Sequence, residues 1–269
     1  MDPIHAAEGW FVSHLFYRVD RPRWEAADPV ERQRRKQHFQ EIVDDFRRDR
    51  DRQIHCYSIW GLKADLAVMT IDPDLQHLNE TEVAVSTSLG AGVLEPASSF
   101  ISMSEISEYM SQEKDYDRTL RSKDGLTPDS AVYQQKMAEF RERMRTYIDD
   151  RLYPRIPDHR LLCFYPMSKR RGDRENWYLL DFDTRKTYMA GHAITGRKFH
   201  ATVKQLVTGS IGLDDWEWGV SLFSDDPFHF KKILYEMRYD EASARFGEFG
   251  PFYVGLRFEP MELFERLAL

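Results

Sequence analysis

Hydrophobic residues in the first 110 positions form short runs that are separated by stretches in which they recur at helical spacing. The aromatic and β-branched runs predict strands at 10–19, 54–60, 65–71 and 100–103. Asp28 as N-cap, followed by Pro29, predicts the start of one helix, and Asp72-Pro73 predicts the start of another. The predicted order of elements is βαββαβ.

The second half of the chain follows the same order. Its patterns predict strands at 160–167, 177–181, 201–208, 216–223 and 252–258, and helices at about 183–195 and 227–237. Landmarks recur about 150 positions apart: the segment 58–62 resembles 210–213, and Asp72-Pro73 resembles Asp226-Pro227. We interpret this as a weak internal duplication.

This organisation predicts an α+β fold. A βαββαβ unit forms an antiparallel sheet with both helices on one face, so its other face needs a partner. Two such sheets packed face to face would give an α/β-barrel-like subunit with room for a ligand. We divide the chain into an N-terminal half (1–110), a linker loop and helix (111–158) and a C-terminal half (159–269). The polar segment 111–128 is either a lid or a plain linker.

Composition narrows the function classes. The formal net charge of −7 disfavours binding to nucleic acid or to anionic lipid. Apolar runs such as 161–165 are far too short to span a bilayer, and the N-terminus lacks the features of a secretory signal, so we expect a cytoplasmic protein. Cys56 and Cys163 belong to no metal or haem-attachment motif and are predicted to be buried free thiols.

The densest group of candidate functional residues lies at 163–171. Strand alternation places Tyr165, Met167 and Lys169 on one face, which brings a phenol and an ammonium onto one surface. Such a phenol can act as a general acid, a deprotonated ligand or a redox-active group. The commoner alternative is a packing tyrosine beside a lysine whose stem lies along apolar surface.

Two further candidates are single polar residues in apolar surroundings. His192 lies near the end of a predicted helix, and its neighbours Gly191 and Ala193 leave room for a flat group such as a planar macrocycle. Haem is the metal chemistry that needs only one protein ligand, although a core histidine satisfied by hydrogen bonds is the more frequent case. Gln205 shares a strand face with valines, so its amide either bonds a nearby carbonyl or points at a ligand.

Arg151, Arg238 and Ser243 form the last group. Guanidinium groups bind carboxylates in a bidentate manner, so arginines gathered at one site would suit a polycarboxylate ligand. The alternative is that these arginines pair with the many Asp and Glu residues of the chain.

Five segments together resemble a known family. They are YPMSKRR (165–171), NWY (176–178), GHAITGRKF (191–199), QLVTGSIGLDDWEWGVSLFSDDP (205–227) and YEMRYDEASARFGEFGPFYVG (235–255). In this order they resemble the coproheme decarboxylase family, formerly described as chlorite-dismutase-like proteins. The resemblance implies two ferredoxin-like halves, a homopentamer and a haem site in the C-terminal half. It also implies that iron coproporphyrin III (coproheme), bound non-covalently, is both substrate and cofactor.

The same resemblance implies the reaction and the residue roles. Hydrogen peroxide drives the loss of two propionate carboxyls as CO₂, which leaves vinyl groups and haem b, and a transient contact with coproporphyrin ferrochelatase is expected. His192 would be the proximal iron ligand, Tyr165 the phenol oxidised to a radical, and Lys169 the cation that assists the second decarboxylation. The remaining assignments are the distal amide, Gln205; the tryptophan at the propionate edge, Trp177; and groups that orient propionates, Arg151, Met167, Arg238 and Ser243. Ala193 stands where the family often has glycine.

Alternative functions follow from the same residues. Chlorite dismutases and haem peroxidases also use a histidine-ligated haem. The resemblance implies a distal arginine in a chlorite dismutase, whereas this chain has Gln205 at that position. A second class is a non-catalytic haem carrier or sensor, in which Tyr165 only packs.

Overall fold

The computed structural model describes residues 2–269 and contains nine strands and nine helices in that range. The strands are β1 (Phe11–Val19), β2 (Gln53–Trp60), β3 (Leu66–Asp72), β4 (Leu94–Met103), β5 (Leu161–Lys169), β6 (Lys204–Gly209), β7 (Trp218–Ser224), β8 (Gly247–Phe249) and β9 (Tyr253–Phe258). The helices are α1 (Arg21–Glu25), α2 (Pro29–Phe46), α3 (Leu75–Ser88), α4 (Glu113–Ser122), α5 (Ala131–Leu152), α6 (Phe182–Arg197), α7 (Pro227–Met237), α8 (Glu241–Phe246) and α9 (Pro260–Arg266).

The strands close into one antiparallel barrel. The first half contributes the order β4-β1-β3-β2, and the second contributes β6-β7-β5-β9. The halves join where β2 pairs with β9 and where β4 meets β6 at the single pair Met103 and Gly209. Strand β8 adds to the edge of β5. The α+β fold and the two repeated βαββαβ halves are thereby confirmed.

The interior of the barrel is filled by side chains. Its buried cluster is dominated by aromatic rings, namely Phe16, Tyr57, Phe100, Phe164, Phe223 and Tyr253. Phe16 stacks on Tyr253 at 4.0 Å between ring centroids, and Phe100 and Phe164 lie 5.4 Å apart. The prediction of ligand space between the two sheets is therefore wrong, because large rings from both halves interdigitate there.

Two local predictions also differ from the structure. The segment 177–181 contains a short 3₁₀ turn (Trp177–Leu179) rather than a strand, because the Asn176 side chain accepts from the Tyr178 backbone N–H and Trp177 is buried. The polar segment 111–128 contains helix α4, which packs against α5 through a small cluster of buried residues, Leu120, Tyr133 and Met137. Acidic residues in the first turn of α4 and an arginine in its last turn complement the helix dipole.

Two further expectations concern the burial of the cysteines and the length of apolar helices. Cys56 and Cys163 are free and buried, as predicted. Within residues 2–269, the chain has no helix that combines the length and the apolar character required to cross a bilayer.

Candidate functional site

Helix α6 carries His192 on the outer side of the second half. Of its 16 residues only Gly196 is buried, and the helix packs against α7 and α8 more closely than against the strands. The outer face of the sheet near it presents an apolar cluster, here called the outer cluster: Cys163, Tyr165, Phe199, Val203, Val220, Leu222, Phe230, Ile233 and Met237. A helix left largely uncovered beside an apolar sheet face is an arrangement that can admit a flat ligand.

His192 is oriented through one ring nitrogen. Its Nδ1 lies 3.1 Å from the Asp240 carboxylate and 3.3 Å from the Ser243 hydroxyl. Its Nε2 makes no hydrogen bond with any residue of the described chain. A Cβ added to Gly191 would meet no atom within 4 Å. The imidazole is therefore held at Nδ1 and presents Nε2 as a free ligand atom, as metal-binding histidines do.

Asp240 is a site residue that the sequence analysis missed. It is the N-cap of α8 and accepts from the Ser243 backbone N–H at 3.0 Å, while its side chain is 6% exposed. Burial alone would raise the pKa of this carboxyl, but hydrogen bonds from His192 and Ser243 outweigh it and leave the pKa lowered. The sequence signal was the capping pattern Asp-x-x-Ser, which does not reveal a partner 48 positions earlier.

Gln205 lies on β6 with its side chain exposed among apolar neighbours. Val203 beside it is buried and Val207 is half-buried. The Gln205 Nε2 lies 3.5 Å from the point that a Cβ on Gly196 would occupy. The amide therefore reaches α6 one helical turn beyond His192.

Tyr165 is buried within the outer cluster. It is 4% exposed and stacks on Phe252 at 4.5 Å between centroids. Burial raises the pKa of its phenol, Cys163 adds to this and Arg238 opposes it, so the hydroxyl stays protonated at neutral pH. Of the chemistries left open for this phenol, the deprotonated ligand is the one that this environment disfavours.

Lys169 is buried against an aromatic ring. Its ammonium lies 4.5 Å from the centroid of Trp177, whose indole is itself buried. Burial lowers the pKa of Lys169 to about 8, although Asp240 and Glu217 act in the opposite direction. Asp240 thus contacts His192 and also acts on the charge of Lys169.

Of the remaining candidates, Met167 and Arg238 lie close to Tyr165 or its neighbours, whereas Arg151 contacts none of the other candidates. Met167 packs against the outer cluster, and the Arg238 guanidinium lies 5.1 Å from the centroid of Phe249, a neighbour of Tyr165. Arg151, in the last turn of α5, has a buried Nε without a partner and makes no hydrogen bond, ion pair or ring contact with the other candidates in residues 2–269.

The donor set suits an iron porphyrin. The macrocycle would supply four nitrogens to its iron, so the protein would need to provide only one further ligand. His192 offers a nitrogen for this purpose and Gln205 reaches the same helix, while Lys169 and Arg238 each lie against an aromatic ring of the C-terminal half. The residues present therefore fit the group that the sequence resemblance implies.

Comparisons with known proteins show which proteins this chain resembles. The family model described as chlorite dismutase matches residues 32–258. A protein of Natronomonas pharaonis named as heme-binding is 40% identical over 264 residues, or 97% of this chain, but the chain spans only 41% of that protein's length. The coproheme decarboxylase of Staphylococcus carnosus is 38% identical over 265 residues, covering 97% of both chains. A solved structure described as a heme-binding protein from Thermus thermophilus aligns with a TM-score of 0.80 at 38% identity, over 97% of this chain and 96% of that one.

Proposed function

The chain belongs to the chlorite dismutase family, and we propose that it is a coproheme decarboxylase acting on iron coproporphyrin III. The observation that supports the proposal is the set of groups in the C-terminal half: an imidazole with a free Nε2, a buried protonated phenol and a buried lysine. A single iron ligand with an oxidisable group nearby is what peroxide-driven porphyrin chemistry requires.

The reaction balances for each propionate. One –CH₂–CH₂–COO⁻ arm releases CO₂, one proton and two electrons and becomes a vinyl group. One hydrogen peroxide accepts the two electrons with two protons and becomes two waters. Two such events convert coproheme into haem b, and the iron, when bound, supplies the route by which peroxide takes up electrons.

The chain's own residues hold the substrate and supply the reacting phenol. We propose that His192 binds the iron through Nε2, while Asp240 and Ser243 fix its ring. Tyr165 gives up an electron and its phenolic proton to hydrogen peroxide, and the resulting radical takes a hydrogen atom from the propionate carbon, which restores the phenol. The carbon radical then loses a second electron to the same peroxide as its carboxylate leaves as CO₂ and the vinyl double bond forms. Lys169 holds the second propionate near Trp177.

Other groups have binding roles in this proposal. Gln205 would offer an uncharged amide to the bound porphyrin, and Arg151, Met167, Arg238 and Ser243 would orient the propionates. Ser243 already lies 3.3 Å from His192 Nδ1, so it is also suited to support the imidazole. The neutral amide of Gln205 disfavours the chlorite dismutase alternative, which calls for a cation to hold an anionic oxidant.

One experiment separates this function from a haem carrier or sensor. The purified chain is mixed with iron coproporphyrin III and hydrogen peroxide, and the porphyrin mass is followed. The loss of two CO₂ units with the matching hydrogen loss is expected; an unchanged mass with tight binding would leave only the carrier.

We also propose an oligomeric state, a location and a partner for the chain. We infer a homopentamer acting in the cytoplasm, with residues 159–269 as the haem-binding half and a transient contact with coproporphyrin ferrochelatase. The acidic net charge of −7 is compatible with this, since it disfavours nucleic acid and anionic membranes as partners.

A further inference from the structure

Arg245 connects two parts of the C-terminal half through its side chain. Its guanidinium donates twice to the Glu175 carboxylate, from Nη2 at 3.0 Å and from Nε at 3.2 Å. A third hydrogen bond runs from Nη1 to the hydroxyl oxygen of Tyr188, on α6, at 2.9 Å. Glu241 also accepts from Nη1, at 3.3 Å, but it lies on the same helix as Arg245 and joins no other element. Arg245 therefore bonds at once to α6 and to the segment 170–176 that follows β5.

The last turn of α8, which carries Arg245, lies beside Lys169. Strand β8 follows α8 directly and pairs Gly247 with Lys169. The backbone N–H of Arg170 donates to the carbonyl of Phe246 at 2.8 Å. The backbone of Arg245 is thereby fixed next to the end of β5, and its bond to α6 relates the position of that helix to the position of Lys169.

Helices α6 and α8 are held together at two points. Tyr188 and His192 are four residues apart on α6, which places them on one helix face, about 6 Å apart along the axis. Arg245, in the last turn of α8, bonds to Tyr188. Asp240, the N-cap of the same helix, bonds to His192. One contact alone would leave α6 free to turn about it, whereas two contacts fix its direction relative to α8.

Helix α6 depends on these contacts because it buries little of its own surface. Gly196 is the one buried residue among its 16. The Arg245 guanidinium also lies over the rings of Tyr188 and Phe246, at 5.8 Å and 5.1 Å from their centroids. These two rings and Trp177 contact one another, with centroids 5.3–6.3 Å apart. A planar guanidinium can make such ring contacts and several directed hydrogen bonds at once, which an ammonium cannot.

We propose that Arg245 is a positioning residue that fixes the His192 imidazole relative to Lys169. This inference rests on the proposed function, in which the porphyrin iron binds at His192 and one propionate binds at Lys169. The separation of those two residues must match the rigid macrocycle. Arg245 bonds to the helix that carries one of them and lies beside the strand that carries the other. It acts through α6 and not by contact with the porphyrin.

The test compares ferric with metal-free coproporphyrin III, because only the ferric porphyrin uses the imidazole. Arg245→Ala should bind the ferric porphyrin about fivefold more weakly and the metal-free porphyrin like the wild type. The absorption spectrum of its ferric complex should shift towards that of His192→Ala, which lacks the ligand atom. Arg245→Lys keeps a charge for Glu175 but lacks the planar fork, so it should recover only part of the affinity. Arg197→Ala, which removes an exposed arginine from α6, is the matched control and should bind like the wild type.

Two further measurements separate positioning from a general effect on stability. In the ligand-free protein, Arg245→Ala should speed amide hydrogen exchange in α6 and leave it unchanged in α2, which lies in the N-terminal half. Tyr188→Phe should weaken ferric binding less than Arg245→Ala does. Combining the two substitutions should cause no loss beyond that of Arg245→Ala, since both remove the same hydrogen bond.

Three results would overturn the positioning role. They are an equal loss of affinity for both porphyrins in Arg245→Ala, wild-type ferric affinity and spectrum in that variant, and unchanged hydrogen exchange in α6. Failure of the proposed function gives a different result. If the wild type binds ferric coproporphyrin III but peroxide leaves the porphyrin mass unchanged, the decarboxylase proposal fails, while the affinities, spectra and exchange rates still decide the role of Arg245.

Discussion

The Asp240 carboxylate lies 3.1 Å from Nδ1 of His192, and the same side chain caps helix α8. A carboxylate acceptor makes the imidazole a stronger electron donor, which strengthens its bond to a ferric iron. Asp240 therefore links the first turn of α8 to the orientation of the His192 imidazole.

Asp240→Asn tests this coupling. Asparagine caps a helix as well as aspartate does, so α8 should remain folded. Affinity for ferric coproporphyrin should fall on the order of tenfold, while affinity for the metal-free porphyrin should change little. Glu241→Gln removes the neighbouring carboxylate, which pairs with Arg245, and serves as control. An equal loss for both porphyrins in Asp240→Asn would show that Asp240 does not act through the iron.

Tyr165→Phe should retain binding and lose decarboxylation. No described residue makes a hydrogen bond to the Tyr165 hydroxyl, so the variant leaves no partner unsatisfied and its unfolding free energy should change by less than about 1 kcal/mol. The ring that stacks on Phe252 remains, but the oxidisable phenol is gone. Mass spectrometry after peroxide addition should detect only unchanged coproheme. Tyr235→Phe, at an exposed tyrosine, is the control, and normal turnover in Tyr165→Phe would exclude the radical role.

The regular elements were largely predictable because each carries a local signal. Helix α7 begins at Pro227 and ends at Met237, as predicted, since Asp226 caps it and its apolar residues recur at helical spacing. Helix α3 begins two residues later than its Asp-Pro signal because Asp74, not Asp72, is the cap. The local pattern indicates the type of an element more reliably than its first residue.

Only the candidate site residues that belong to a local sequence pattern could be predicted; the contacts between distant residues could not. Tyr165, Met167 and Lys169 follow from strand alternation, and the outer cluster confirms their shared face for Tyr165 and Met167. The contact of Asp240 with His192 spans 48 positions of the sequence. Such contacts depend on tertiary packing, which no local pattern encodes.

Substrate binding should depend on the charge of Lys169. Its pKa of about 8 in the free protein means that it loses its proton above that pH, whereas a bound carboxylate would stabilise the charged form. Affinity for metal-free coproporphyrin III should therefore decline as pH rises above 8. Lys169→Arg stays charged throughout this range and should flatten the profile. Equal slopes between about pH 7 and 9.5 in the two proteins would contradict this assignment.

His14 should make the fold sensitive to mild acid. It is buried inside the barrel, where its Nε2 lies 2.9 Å from the Ser221 hydroxyl and its ring stacks on Phe164 at 4.1 Å. Burial lowers its pKa from 6.5 to about 3. Between these values the unfolded chain binds a proton that the folded chain does not, so stability falls as pH falls, by up to about 1.4 kcal/mol per pH unit. Above pH 6.5 this contribution is fully present.

Urea unfolding at several pH values measures that slope. His14→Phe should be less stable at pH 7 by about 1–3 kcal/mol, because the Ser221 hydroxyl loses its partner. Its stability should nevertheless decline less steeply below pH 6.5, since one proton-binding group has been removed from the unfolded state. His38→Gln changes an exposed histidine and should keep the wild-type slope. If His14→Phe also kept that slope, His14 would have to be protonated within the folded barrel, and the packed interior described above would have to accommodate a charge.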